Sequence, residues 1–387
     1  MDLNQITDAR GPSHTPGIKR RPDLKALTSI RFFAALHVAL FHLVQPFSLW
    51  GPLAPVIGAG YIGVSFFFVL SGFILAYSRA GEYERGEGHA PKFWMARFAR
   101  IYPVYLVSMI FAGYVGRAQF HQKIHIVAFI ADLLMVQSWS VRTVNFFNGP
   151  AWSLSCEAVF YLVFPFVFMK LRPSTLKKGI LAFAGGWLLA LAVPLLSLKL
   201  YPLAAWHIAA DGAPGAIMVT RIRHIPILLL PQFLAGISLG WIYLRFRPSP
   251  KLASFFASAG VITLAATLML ADHIPYILLH NGLLVPIFGL LILGLAESNW
   301  LSRLLSNPVL VILGEASYAL YLIHRVFDAW LLSVFGPSGG IWSAVWKLAI
   351  VIPLSVLLHL FVERPCRLLI LKWWSRRHPK ELTVGAN

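Results

Sequence analysis

Charge is scarce in this chain. Only 12% of its 387 residues are charged, roughly half the fraction usual in a soluble globular domain. Acids are scarcest, at 15 Asp and Glu against 33 Lys and Arg, for a formal net charge of +18. Cysteine is nearly absent. Cys156 lies in an apolar run and Cys366 in a basic tail, so neither a disulfide framework nor a pairing is expected. There is no Walker loop, no His-Glu-x-x-His and no Cys-x-x-Cys. These gaps argue against a P-loop enzyme, a zincin and a dithiol redox protein. No metal site and no permanently bound cofactor are expected. Nor is there a cleavable signal peptide: the chain is polar and proline-containing up to Lys25, and the first apolar run is full length.

What the chain has in quantity is apolar sequence, 58% of residues. It comes in long runs, and a run of about 18 or more mostly apolar residues can cross the hydrocarbon core as a helix. The fold class that follows is all-α, a polytopic membrane protein with about ten transmembrane helices. The spans fall near 27–49, 57–79, 101–117, 152–171, 179–200, 225–244, 252–271, 277–296, 309–333 and 341–362. The stretch 124–139 is apolar but short, and it holds His125 and Asp132. Were it to cross, Lys170, Arg172, Lys177 and Lys178 would lie outside, against the positive-inside rule, so it reads as re-entrant or interfacial.

The basic residues cluster between the apolar runs and at both ends. That pattern belongs to a protein facing anionic lipid at the cytoplasmic surface, not to one binding nucleic acid. Three regions result: a cytoplasmic tail over 1–25, a membrane domain over 26–366 and a basic cytoplasmic tail over 367–387. The segment 79–100 reads as a cytoplasmic loop, and 201–223 as the longest external one.

Ionisable residues inside spans are costly, so each is a candidate for function. Arg31 and His42 are eleven residues apart, three helical turns plus about 20°, and so share a face about 16 Å apart along the axis. His37 lies about 140° from His42 on another face. A cation near the cytoplasmic end and an imidazole deeper in suit a charged donor and a proton transfer. Equally, Arg31 could snorkel to the headgroups while His42 bonds a neighbouring helix. Arg97 and Arg100, three apart, could grip phosphates with two guanidinium forks or serve as topology anchors. Glu157 and Tyr161 meet at i, i+4, and the carboxylate either pairs with an arginine or orients a reacting group. Glu315, Tyr318, Tyr321 and His324 form a second polar stripe. The serine beside glycine at Ser71-Gly72 is by itself a small-residue helix contact. These residues alone leave an enzyme, a transporter of a lipid-linked sugar or small solute, and a membrane scaffold all open.

Taken in order, the pieces resemble one family. Leu27 to Ala35 with His42, Phe66 to Phe73 (FFFVLSGF), Arg97 to Pro103 (RFARIYP), Trp152 to Tyr161 (WSLSCEAVFY) and Ser317 to His324 (SYALYLIH) are similar to the acyltransferase 3 family of bacterial membrane acyltransferases. So is Val362-Glu363-Arg364-Pro365. The likeness spans about residues 25–366. Departures are Thr28-Ser29-Ile30 where members often carry Asp-Gly-Leu, Cys156 where many have valine, and Ala158 where many have a second acid.

The resemblance implies a ten-span O-acyltransferase of the bacterial inner membrane with both termini cytoplasmic. Its donor would be a cytosolic acyl-CoA, by default acetyl-CoA, and its acceptor a carbohydrate hydroxyl of a surface or secreted glycan. It implies an essential His42 as general base, with Arg31 and Glu157 important. Arg97 and Arg100 would bind the donor phosphates, and His324 would be a supporting or acceptor-side group. Direct transfer and an acyl-imidazole are both compatible with these residues.

Overall fold

The computed structural model describes residues 24–206, 214–336 and 340–378. The N-terminal tail up to residue 23, the middle of the loop 201–223 and residues 379–387 fall outside the described residues. Among the described residues the chain is wholly helical, without strands. Ten helices, some of them joined pairs, are long and apolar enough to span a membrane. The protein is a multi-pass membrane protein, and the all-α, ten-span expectation holds.

The elements that matter for the site are α1 (Lys25–Leu43), α2 (Ile62–Glu84), α3 (Ala90–Val115) and α4 (Lys123–Leu133). After them come α5 (Trp152–Val167), α6 (Leu176–Leu200), α7 (Pro226–Arg245), α8 (Pro250–Met269) and α9 (Val285–Leu295). The last are α10 (Pro308–Phe335), α11 (Ile341–Leu358) and α12 (Arg364–Arg377). A π-helical turn, His359–Glu363, joins α11 to α12. α4 has 11 residues, about 16 Å of helix against a hydrocarbon core of about 30 Å. It is too short to cross alone, which fits the reading of 124–139. Tyr102 and Tyr105 of α3 hold its end by donating to the carbonyls of Leu133 and Asp132.

Two boundaries differ from the sequence reading. The expected loop 79–100 is mostly helix: α2 runs on to Glu84 and α3 begins at Ala90. Arg and Lys are good helix formers, and Pro91 sits in the first turn of α3, where its missing N–H costs nothing. Arg97 and Arg100 therefore lie well inside a helix rather than at its start. Similarly, the expected tail from 367 is helical through Arg377 and packs along α3.

Small residues set the closest approaches. A side chain at Gly72 of α2 would sit 2.2 Å from the Phe233 carbonyl of α7, and one at Gly236 would sit 2.1 Å from the Val69 carbonyl. The serine–glycine pair of span two is thus the small-residue contact expected of it. The same device brings α10 onto α1, because a Cβ at Gly314 would lie 2.1 Å from the backbone oxygen of Thr28. In a bilayer no hydrophobic force separates helix contacts from lipid contacts, so such backbone fits carry much of the association. Gly314→Ala should therefore lower thermal stability in detergent by about 1–3 kcal/mol, the usual cost of overpacking. Gly185→Ala, with nothing within 4 Å of its added carbon, should leave the melting temperature within a degree or two of wild type, measured side by side. Equal stability of the two variants would show that the α1–α10 contact is loose.

Candidate active site

The site begins with the helix geometry of α1. Arg31 and His42 face the bundle interior, whereas His37 turns to another side and bonds the Val56 carbonyl through Nε2 at 2.6 Å. The facing argument from the sequence is correct.

Arg31 lines a cavity of about 110 Å³ between α1, α2, α3, α5 and α10. Arg97 and Arg100 line the same cavity, and so does Glu157. Three guanidiniums and one carboxylate thus share one space. Glu157 accepts a hydrogen bond from the Tyr161 hydroxyl at 3.1 Å. Tyr161 in turn is 3.2 Å from Ser71 Oγ, which ties α5 to α2. Among the described residues, Arg31, Arg97 and Arg100 have no carboxylate at ion-pairing distance. The Nε of Arg97 is buried and has no hydrogen-bond partner there. Buried polar groups are normally satisfied. An unpaired guanidinium facing a cavity marks a place for an anionic ligand.

The far end of the cavity is closed by fixed side chains. Tyr321 donates to the Pro150 carbonyl at 2.8 Å and shares a 2.8 Å bond with Ser153. Phe67 packs edge-on to Tyr321 with ring centres 6.0 Å apart. Tyr318 is held by the Ile101 carbonyl at 2.8 Å. Three residues beyond Tyr321, about 4.5 Å along α10, stands His324. It is fully buried.

His324 Nε2 lies 3.1 Å from His42 Nδ1. The bonding pattern assigns the protons. His42 Nδ1 is also 2.9 Å from the Val38 carbonyl, and His324 Nδ1 is 3.1 Å from the Leu320 carbonyl. Carbonyls only accept, so each neutral ring carries its proton on Nδ1. The His42 proton is then shared between Val38 and the lone pair of His324 Nε2. This leaves His42 Nε2 with a free lone pair. The sequence had placed both histidines among the candidates, but not against each other.

Other members of the polar stripe of α10 go elsewhere. Glu315 lies 3.4 Å from His359, which also bonds Glu363 at 3.0 Å. One turn past His324, Asp328 is buried against Lys347 of α11 at 2.7 Å and receives Arg325 at 3.1 Å. Asp328 and Lys347 were missed in the sequence reading. Their signal was available, since each is an ionisable residue within an apolar run. Cys156 and Cys366 are free thiols, as expected. No group of three or more potential metal ligands occurs among the described residues.

The protein is thus a multi-pass helical membrane protein with a basic cavity, and a buried imidazole pair stands one helical turn from Tyr321 of its lining. Residues 24–363 match the family described as Acyltransferase domain, and the chain belongs to this acyltransferase 3 family. It is a membrane acyltransferase. It is 31% identical to Acyltransferase MdmB of Streptomyces mycarofaciens, with 92% of this chain and 94% of the relative covered. With Peptidoglycan O-acetyltransferase OatA of Listeria monocytogenes it shares 25% identity over 90% of this chain and 56% of that longer protein. No solved structure matches the chain.

Proposed function

We propose that the protein moves an acyl group, acetyl by default, from cytosolic acyl-CoA to a hydroxyl of an extracytoplasmic or surface glycan. The observation that carries this reading is a single cavity with unpaired guanidiniums at one end and the His42–His324 pair one helical turn beyond the other. Arginine forks suit the donor phosphates, and the narrow apolar space between the two ends suits a pantetheine arm. The glycan acceptor is supported by the name of the peptidoglycan-modifying relative. The proposed location is a bacterial inner membrane with both termini cytoplasmic, which puts the arginine end of the cavity on the donor side.

In this reaction His42 Nε2 takes the proton of the acceptor hydroxyl. The hydroxyl oxygen attacks the thioester carbonyl, the C–S bond breaks, and His42 returns the proton to the departing thiolate. His324 is a positioning residue: its Nε2 accepts from His42 Nδ1–H, fixing the ring and sharing the charge while the imidazolium exists. Arg31 orients the thioester end of the donor. Glu157, held by Tyr161, balances part of the arginine charge.

Three outcomes follow. A reporter fused after Lys178 should read cytoplasmic; an external signal would mean that 124–139 crosses or that another span is misplaced. Arg97→Ala and Arg100→Ala should each weaken acyl-CoA binding by about tenfold or more, the scale of one lost charged hydrogen bond. Lysine at either position should restore only part, because the fork is lost. Normal binding in both alanine variants would reduce the arginines to topology anchors. Finally, His42→Ala should lower transfer from labelled acetyl-CoA in membrane vesicles by about 10²–10⁴-fold, the usual worth of a positioned base. His42→Gln should fail equally, and His37→Ala should be mild. An abundant His42→Ala protein transferring at the wild-type rate would remove the proposed catalytic centre.

A further inference from the structure

The cavity mouth draws on a segment that the site as described does not use. α12 begins at Arg364, directly after the residues matched to the family, and it packs along α3. This packing places Arg367 in the electrostatic field of Arg100 and Arg79. Arg97 lies in that of Arg79 and Arg367. Arg79 and Arg97 also share an aromatic neighbour, with guanidinium carbons 5.9 and 5.8 Å from the centre of the Phe93 ring. Cations from α2, α3 and α12 therefore cluster around Arg97 and Arg100, two residues that line the cavity.

The nearby acids balance them only in part: Glu157 lines the cavity without an ion-pairing contact. Glu82 is taken by Arg79 at 2.7 Å. Glu363 and Glu315 both engage His359. Among the described residues, Arg97, Arg100 and Arg367 have no carboxylate at ion-pairing distance. Like charges held close repel, and the arrangement is stabilised when an anion joins it.

We infer that Arg367 is a donor-binding residue that holds the 3′-phosphate at the adenosine end of CoA, leaving the pyrophosphate to Arg97 and Arg100. This rests on the acyl-CoA reading above. The order of charges along the entry supports it. Arg31, Arg97 and Arg100 line the cavity, whereas Arg367 is exposed and lies outside that lining. CoA presents its charges in the same sequence. The pyrophosphate adjoins the pantetheine arm, and the monoester phosphate, a dianion, stands at the far end. An exposed arginine suits the charge that enters last and stays nearest water.

The test compares CoA with 3′-dephospho-CoA as competitors of labelled acetyl-CoA for the purified full-length protein. Wild type should bind CoA about tenfold more tightly, as expected for one charged contact. Arg367→Ala should lose that factor for CoA while binding 3′-dephospho-CoA as wild type does. Unchanged binding of the dephospho form also serves as the control for folding. Arg367→Lys should keep part of the preference, and Arg367→Gln gives the same reading if the alanine variant does not accumulate. Equal weakening of both competitors by Arg367→Ala, or no weakening of either, would overturn the assignment. Wild-type protein that binds both forms equally would also overturn it, yet would leave the acyl-CoA donor standing. Wild-type protein that binds neither would remove the donor reading itself.

Discussion

The approach of α10 to α1 is the contact on which the site depends. At Gly314 there is room for no more than a hydrogen against the Thr28 carbonyl. The two helices then run side by side far enough for His324 to reach His42 at 3.1 Å. A wider spacing at Gly314 would break this bond first, since imidazoles cannot stretch to follow a displaced helix. The same two helices supply Arg31, Tyr318 and Tyr321 to the cavity. Backbone fit in the apolar layer therefore sets both a wall of the cavity and the position of the His42–His324 pair.

Charge placement follows a different rule. Burying a charge in a membrane protein is costly unless it is paired or faces water or a ligand. The protein uses both solutions in separate places. Lys347, Asp328 and Arg325 are paired with one another, and His359 sits between Glu315 and Glu363. These ion pairs tie helices together. Arg31, Arg97 and Arg100 instead converge on a cavity. Glu315, Glu363 and Asp328 are committed elsewhere, while Glu157 faces the same cavity without an ion-pairing contact. A bundle that needed its arginines only as anchors would gain by pairing them.

Much of this was legible in the sequence because membrane proteins write their topology in long apolar runs. The ten spans, the short segment 124–139 and the shared face of Arg31 and His42 all follow from run length, charge bias and helical pitch. Helix ends were less legible. The stretch 79–100 reads as a loop because of its charges, yet Arg and Lys do not break helices, and the side chains of Arg97 and Arg100 turn inward to a cavity. The pairing of His42 with His324 was not legible at all. It depends on which helices are neighbours, and with the two histidines 282 positions apart no local periodicity records it. Gly314 carries the clue, but a glycine inside an apolar run looks the same whether it meets a helix or lipid. Asp328 and Lys347 were visible by the same cost argument that found Arg31, and passing over them was a failure to apply it evenly.

The partner of His42 is another imidazole, and this bears on what the base has to do. A partner carboxylate favours the charged form of a histidine, which helps a base that must take a proton. In acyl transfer to a hydroxyl the same group must also give the proton back to the thiolate within one turnover. A neutral partner serves both halves: His324 Nε2 holds the tautomer and orientation of His42 without adding a full negative charge. Asp328, the nearby carboxylate one turn along α10, is withheld by Lys347 and Arg325.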